Sequence, residues 1–130
     1  MNQRPLVYPK PRYDAPVLMD PTHYDWVPVA GAPGVSEKML GVFTERRTEI
    51  AFLRLEAGAV HTLGGRAVYV VLSGAGTLGP EPVRRLTTAY LEAGERATVQ
   101  ARAATEILHL GLPNLAGLAA PKPATAQAAE

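Results

Sequence analysis

The sequence has no cysteine, which removes disulfides, thiolate metal sites and a cysteine nucleophile together. Histidine is scarce: only His23, His61 and His109 occur in 130 residues, so imidazole chemistry has three places to reside. A charge bias is missing too. Thirteen Lys and Arg face twelve Asp and Glu, spread along the chain for a net charge of +1, so bulk electrostatics favour neither nucleic acid nor an anionic membrane. Any ligand must be recognised locally. No apolar run approaches the ~18 residues of a membrane helix, and Met1 to Lys10 lacks the apolar segment of a secretory signal. The expectation is a cytoplasmic protein with one hydrophobic core, since 130 residues are too few for two comfortable ones.

Proline and glycine are what the chain has in quantity, twelve of each. Pro5, Pro9, Pro11, Pro16, Pro21, Pro28 and Pro33 disfavour regular helix and remove donors from any central strand, so residues 1–34 are expected to form an extended arm. Its aromatic residues Tyr8, Tyr13, Tyr24 and Trp26 need a surface to cover. From residue 35 to 112 the pattern changes to short apolar runs punctuated by Gly and Pro, the signature of an all-β domain. Strands are expected near 37–43, 48–55, 59–63, 66–72, 76–78, 83–91, 97–100 and 105–110. The run Ala67 to Leu72 is rich in β-branched and aromatic residues without polar alternation, and is read as the centre of a sheet. Leu63-Gly64-Gly65-Arg66 is read as a tight hairpin turn, with further turns at 73–76 and 92–95. Residues 113–130 form an Ala/Pro-rich tail, with a short helix over Leu115 to Ala120 ended by Pro121 and Pro123 and a disordered end. The fold class implied is all-β, a single-domain double-sheet jelly roll.

The stretch Gly58-Ala-Val-His61-Thr-Leu63-Gly-Gly-Arg-Ala67-Val-Tyr69-Val-Val-Leu-Ser-Gly74 resembles the first motif of the cupin superfamily, G-x(5)-H-x-H-x(3,4)-E-x(6)-G. Aligned on Gly74, His61 stands at the first His, Leu63 at the second and Ala67 at the Glu. A second motif laid from Gly94 puts Thr105 at the third His and His109 at the closing Asn. The segment from Trp26 to Leu40, with Arg54 to Gly58, looks like the entry to cupins related to the anti-sigma factor ChrR and to acetylacetone-cleaving dioxygenases. The resemblance implies a cupin-type double-stranded β-helix and, in relatives, a metal. Three of the four ligand positions here carry Leu63, Ala67 and Thr105, so no metal or other cofactor is expected. In cupins an N-terminal strand commonly packs on a neighbouring subunit, which implies a homodimer.

Strand alternation sorts the candidate residues. If His61 faces the barrel interior, Leu63 shares its face, and so do Ala67, Tyr69, Val71 and Ser73 on the next strand. In the last strand Thr105, Ile107 and His109 share one face, and the alignment turns it inward. His61 is therefore the candidate catalytic residue, an imidazole that titrates near neutrality and can act as general base. Tyr69, Thr105 and His109 are the candidate ligand-binding residues, set among apolar walls as in a small-molecule site. Glu106 and His109 invite comparison with an acid/base dyad, but a spacing of three sends them to opposite faces of a strand. Arg54, Arg66 and Arg102 could clamp a carboxylate ligand, and Trp26 could cap the barrel mouth or pack.

Three readings follow. The first is a metal-free cupin that binds a small organic molecule in its barrel, with isomerase, cyclase or lyase chemistry through His61. The second is a non-catalytic sensor or dimerisation domain, and the third a dioxygenase with a rearranged metal site.

Overall fold

A computed structural model of the chain describes residues 18–43 and 48–113. Two antiparallel sheets face each other across one core. Strands β1 (Val27–Pro28), β2 (Val35–Val42), β3 (Glu49–Leu55), β5 (Ala67–Ser73), β8 (Thr88–Leu91) and β10 (Thr105–Gly111) form a six-stranded sheet in the order β1-β2-β3-β10-β5-β8. Strands β4 (Val60–Gly64), β6 (Ala75–Leu78), β7 (Glu81–Arg84) and β9 (Arg96–Ala101) form a four-stranded sheet in the order β4-β9-β6-β7. Side chains alternate along each strand, and one face of each sheet supplies the core: Val35, Leu53, Leu55, Ala67, Tyr69, Val71 and Ile107 from the larger, Leu63, Val83, Val99 and Ala101 from the smaller. The all-β jelly roll expected from the sequence is what the chain forms.

Several local expectations need correction. The arm is not uniformly extended: Pro21–His23 makes one 3-10 turn, capped by the Asp20 carboxylate, which accepts from the Thr22 amide at 3.0 Å. Residues 1–17 and 114–130, with the expected tail helix, lie outside the described residues. The segment at 64–66 is not a hairpin turn, because β4 pairs only with β9 while β5 pairs with β10 and β8. Gly65, at φ 80°, instead carries the chain from one sheet to the other. Nor is β5 the centre of its sheet; that place belongs to β3 and β10.

The expected strand over 83–91 breaks in two. Leu86 adopts a left-handed φ of 71°, and its amide donates to the Val71 carbonyl at 2.6 Å, so β7 stays in the smaller sheet while β8 joins the larger. A leucine in that conformation gives no sequence signal, which is why the break was invisible.

Trp26 sits on the outer face of the six-stranded sheet, not at a barrel mouth. The Arg54 guanidinium lies 4.0 Å and the Lys38 ammonium 4.8 Å from its ring centroid. Lys38 Nζ also donates to the Pro21 carbonyl at 2.8 Å, tying the 3-10 turn to β2.

Gly74 is the corner at which the chain leaves the large sheet after β5 and enters the small one as β6. It has φ 97°, and a Cβ there would overlap Thr105 Oγ1 and the Ala104 carbonyl. Both the conformation and the space demand glycine. Gly74→Ala is therefore expected to cost about 2 kcal/mol or more, whereas Gly79→Ala, with φ 57° and open space around it, costs about 1 kcal/mol. Urea unfolding midpoints of the two variants check the order; equal loss would contradict the packing argument.

Candidate functional site

The register of three strands builds one wall of the site. His109 pairs with Ala51 on one side and Tyr69 on the other, so these three side chains form a row on the inner face of the large sheet. The small Ala51 leaves room beside the imidazole, which stacks on Tyr69 at 4.7 Å between centroids and 20° between planes. The Tyr69 hydroxyl donates to the Gly64 carbonyl at 2.8 Å. Tyr69 is therefore anchored, with its only hydroxyl proton spent on backbone.

The opposite wall supplies His61. On β4, Leu63 is buried, His61 is half-buried, and Val60 and Thr62 point to solvent, so the imidazole faces the large sheet. Two carboxylates join it that the sequence reading passed over. Glu37 pairs with the buried Leu53 and Glu49 lies in register with Gly111, which puts both on the inner face. The Glu49 side chain crosses the place where a Cβ of Gly111 would stand, so glycine at 111 makes room for it. The signal was present in the alternation Glu49-Ile-Ala51-Phe-Leu53-Arg-Leu55, whose odd positions form the apolar inner face. Glu37 bears the same relation to Val35.

Charge and burial define how this cluster titrates. Burial lowers the pKa of His61, with the Glu37 carboxylate opposing it. Burial likewise lowers His109, opposed by Glu49 and then Glu37. Burial raises the Tyr69 hydroxyl, and both carboxylates act on it in the same direction. Glu37 therefore lies within electrostatic reach of His61, His109 and Tyr69 alike. At neutral pH the site holds two uncharged imidazoles and a neutral phenol.

Thr105 belongs elsewhere. It is 1% exposed, its hydroxyl donates to the Ala103 carbonyl at 2.8 Å, and Ala75 O lies 3.3 Å away, beneath the Gly74 corner. Glu106 faces outward and pairs with Arg54 at 3.0 Å, while Arg66 pairs with Glu92 at 3.3 Å. Arg102 lines an open surface groove of about 350 Å³ with Gln100 and Thr77, on the outside of the small sheet. His23 lies on the exposed 3-10 turn, 3.8 Å from Asp20. Beneath Tyr69, an apolar cavity of about 20 Å³ lies among Leu63, Val71, Val99 and Ile107, with room for about one water.

Several solved structures superpose on most of this chain, at TM-scores up to 0.63. The chain has the cupin fold. A putative acetylacetone dioxygenase from Methylibium petroleiphilum PM1 is similar over 75% of this chain and 76% of its own, with a TM-score of 0.63 and 20% identity. The polyketide cyclase RemF from Streptomyces resistomycificus is similar over 73% of this chain and 78% of its own, at 0.61 and 14%. The anti-sigma factor ChrR of Rhodobacter sphaeroides, solved with SigE, is similar over 65% of this chain and 46% of its own, at 0.54 and 19%. No protein-family model and no curated protein matches the sequence.

A metal ion at the ligand positions of the motif this chain resembles does not fit the residues present. At three of the four ligand positions stand Leu63 at 3% exposure, Ala67 at 1% and the backbone-bonded Thr105. Among the described residues no group of three or more His, Asp or Glu side chains is placed to hold a metal ion. A divalent ion would need several converging donors.

The lowered imidazole pKa values carry a sign for stability. The unfolded chain, with histidines near 6.5, binds protons that folded His61 and His109 refuse. Stability is then full above pH ~6.5 and falls as the pH drops through the folded-state values. Thermal melts between pH 7.5 and 5 are expected to show this loss, and the double variant His61→Gln, His109→Gln to flatten it. A parallel pH dependence in that variant would refute the assignment.

Proposed function

We propose that this cupin binds a small organic molecule at the inner cluster and acts on it, if at all catalytically, by proton transfer through His61 in isomerase, cyclase or lyase chemistry. The observation that carries this reading is that His61 on one sheet and the stacked His109–Tyr69 pair on the other all lie within electrostatic reach of the half-buried Glu37. A base must be unprotonated to work, and burial keeps the His61 imidazole so at neutral pH. A proton removed from the ligand would reside on His61 and be returned from it, a cycle that needs no oxidant or reductant. His109, stacked and held by Tyr69, would orient the ligand by its ring N–H. A polyketide cyclase is among the similar structures, in keeping with cyclase chemistry as a use to which this fold is put.

A second reading, a non-catalytic sensor or dimerisation domain, is favoured by the outer face of the large sheet. Phe52, Leu108 and Val70 form one paired row there and Ile50, Leu110 and Val68 another, all half-buried. A homodimer would cover such a face.

A thermal-shift screen of small neutral carbonyl compounds and phenols, followed by turnover assays on the hits, tests the first reading. His61→Ala is expected to reduce turnover by about a hundredfold or more, while Thr105→Val lowers stability by about 1–2 kcal/mol and leaves turnover per folded molecule unchanged. Binding without turnover supports the sensor. Sedimentation velocity measures the dimer directly.

A further inference from the structure

The polar groups facing the cluster have a common chemical character. Glu37 is half-buried on the inner face and, as a carboxylate, only accepts hydrogen bonds. Tyr69 has given its proton to Gly64, so its oxygen can only accept as well. Each neutral imidazole offers one bare nitrogen. Among the described residues the cations nearest in sequence to these strands are turned away: Lys38 donates to Pro21 and covers Trp26, Arg54 is paired with Glu106, and Arg66 with Glu92. Acceptors in the cluster outnumber donors, which are the one ring N–H of each neutral imidazole. Glu37 carries negative charge that no described inward-facing cation offsets.

We propose that the barrel site selects a small organic ammonium, with Glu37 as the specificity-determining residue. A primary ammonium brings three N–H donors for these acceptors and a charge complementary to Glu37. A carboxylate or phosphate would meet Glu37 with like charge and find no inward-facing guanidinium or ammonium among the described residues to receive it. The cavity beneath Tyr69 has room for about one water, so such a ligand would sit at the half-exposed rim where Glu37 and His61 stand. This inference rests on the barrel-binding reading above and adds the charge class of what is bound.

Three probes of matched shape separate the possibilities: benzylamine, benzyl alcohol and benzoate, titrated at pH 7.5 into the full chain while the His61 and His109 ring resonances are followed by NMR. Benzylamine is expected to shift both histidines and bind tightest, with benzyl alcohol weaker and benzoate without effect. Glu37→Gln, which keeps shape and loses charge, is expected to weaken benzylamine by about tenfold or more and to leave benzyl alcohol unchanged. Glu37→Asp should recover part of the loss. Benzoate binding as well as benzylamine, or amine binding indifferent to Glu37→Gln, overturns the inference alone. If none of the three probes moves either histidine, the barrel-binding reading falls with it.

Discussion

Everything at the candidate site depends on the register between β3, β10 and β5. Because His109 pairs with Ala51 and Tyr69, the imidazole has a small neighbour on one side and an aromatic face on the other. A slip of one residue would turn His109 to solvent and bring Leu108 or Leu110 inward. The register is held from both ends: at one by Thr105, locked under the Gly74 corner, and at the other by Gly111, whose missing side chain leaves space for Glu49. Thr105 thus serves the site by fixing the strand that carries His109.

The second constraint is the division of neighbouring strands between sheets. β4 and β5 are joined by a few residues yet lie in different layers, so His61 and Tyr69 approach the core from opposite sheets instead of sharing one surface. The same device recurs at Gly74 and at Leu86, where the chain again changes sheet. Corners of this kind close a jelly roll and bring groups from distant strands together. Here they gather imidazole, phenol and carboxylate around an apolar centre.

Much of this was legible in the sequence. The all-β class and most strands followed from short apolar runs and their punctuation. The inward placement of His61, Tyr69 and His109 followed from strand parity and motif spacing. Parity also turned Glu106 away from His109, and the Arg54 pair shows where that carboxylate goes. Glu37 and Glu49 were equally accessible to parity but were hidden by chemistry, because a carboxylate on a strand is ordinarily taken to face water. The arginines raised as clamps are absorbed by Glu106, Glu92 and Trp26, or lie on the outside, and only the paired positions of distant strands reveal this.

The sequence by itself determined the period-two pattern, the lack of thiols and the loss of histidine and glutamate at the familiar ligand positions, since these depend only on which residue stands where. The tertiary structure alone decided that 64–66 changes sheets, that 83–91 breaks at Leu86, and that Glu37 lies within electrostatic reach of both imidazoles. These are consequences of long-range pairing, whose partners lie tens of residues apart. Local sequence sets which face a side chain takes along its strand; only the closure of the two sheets sets what that face meets.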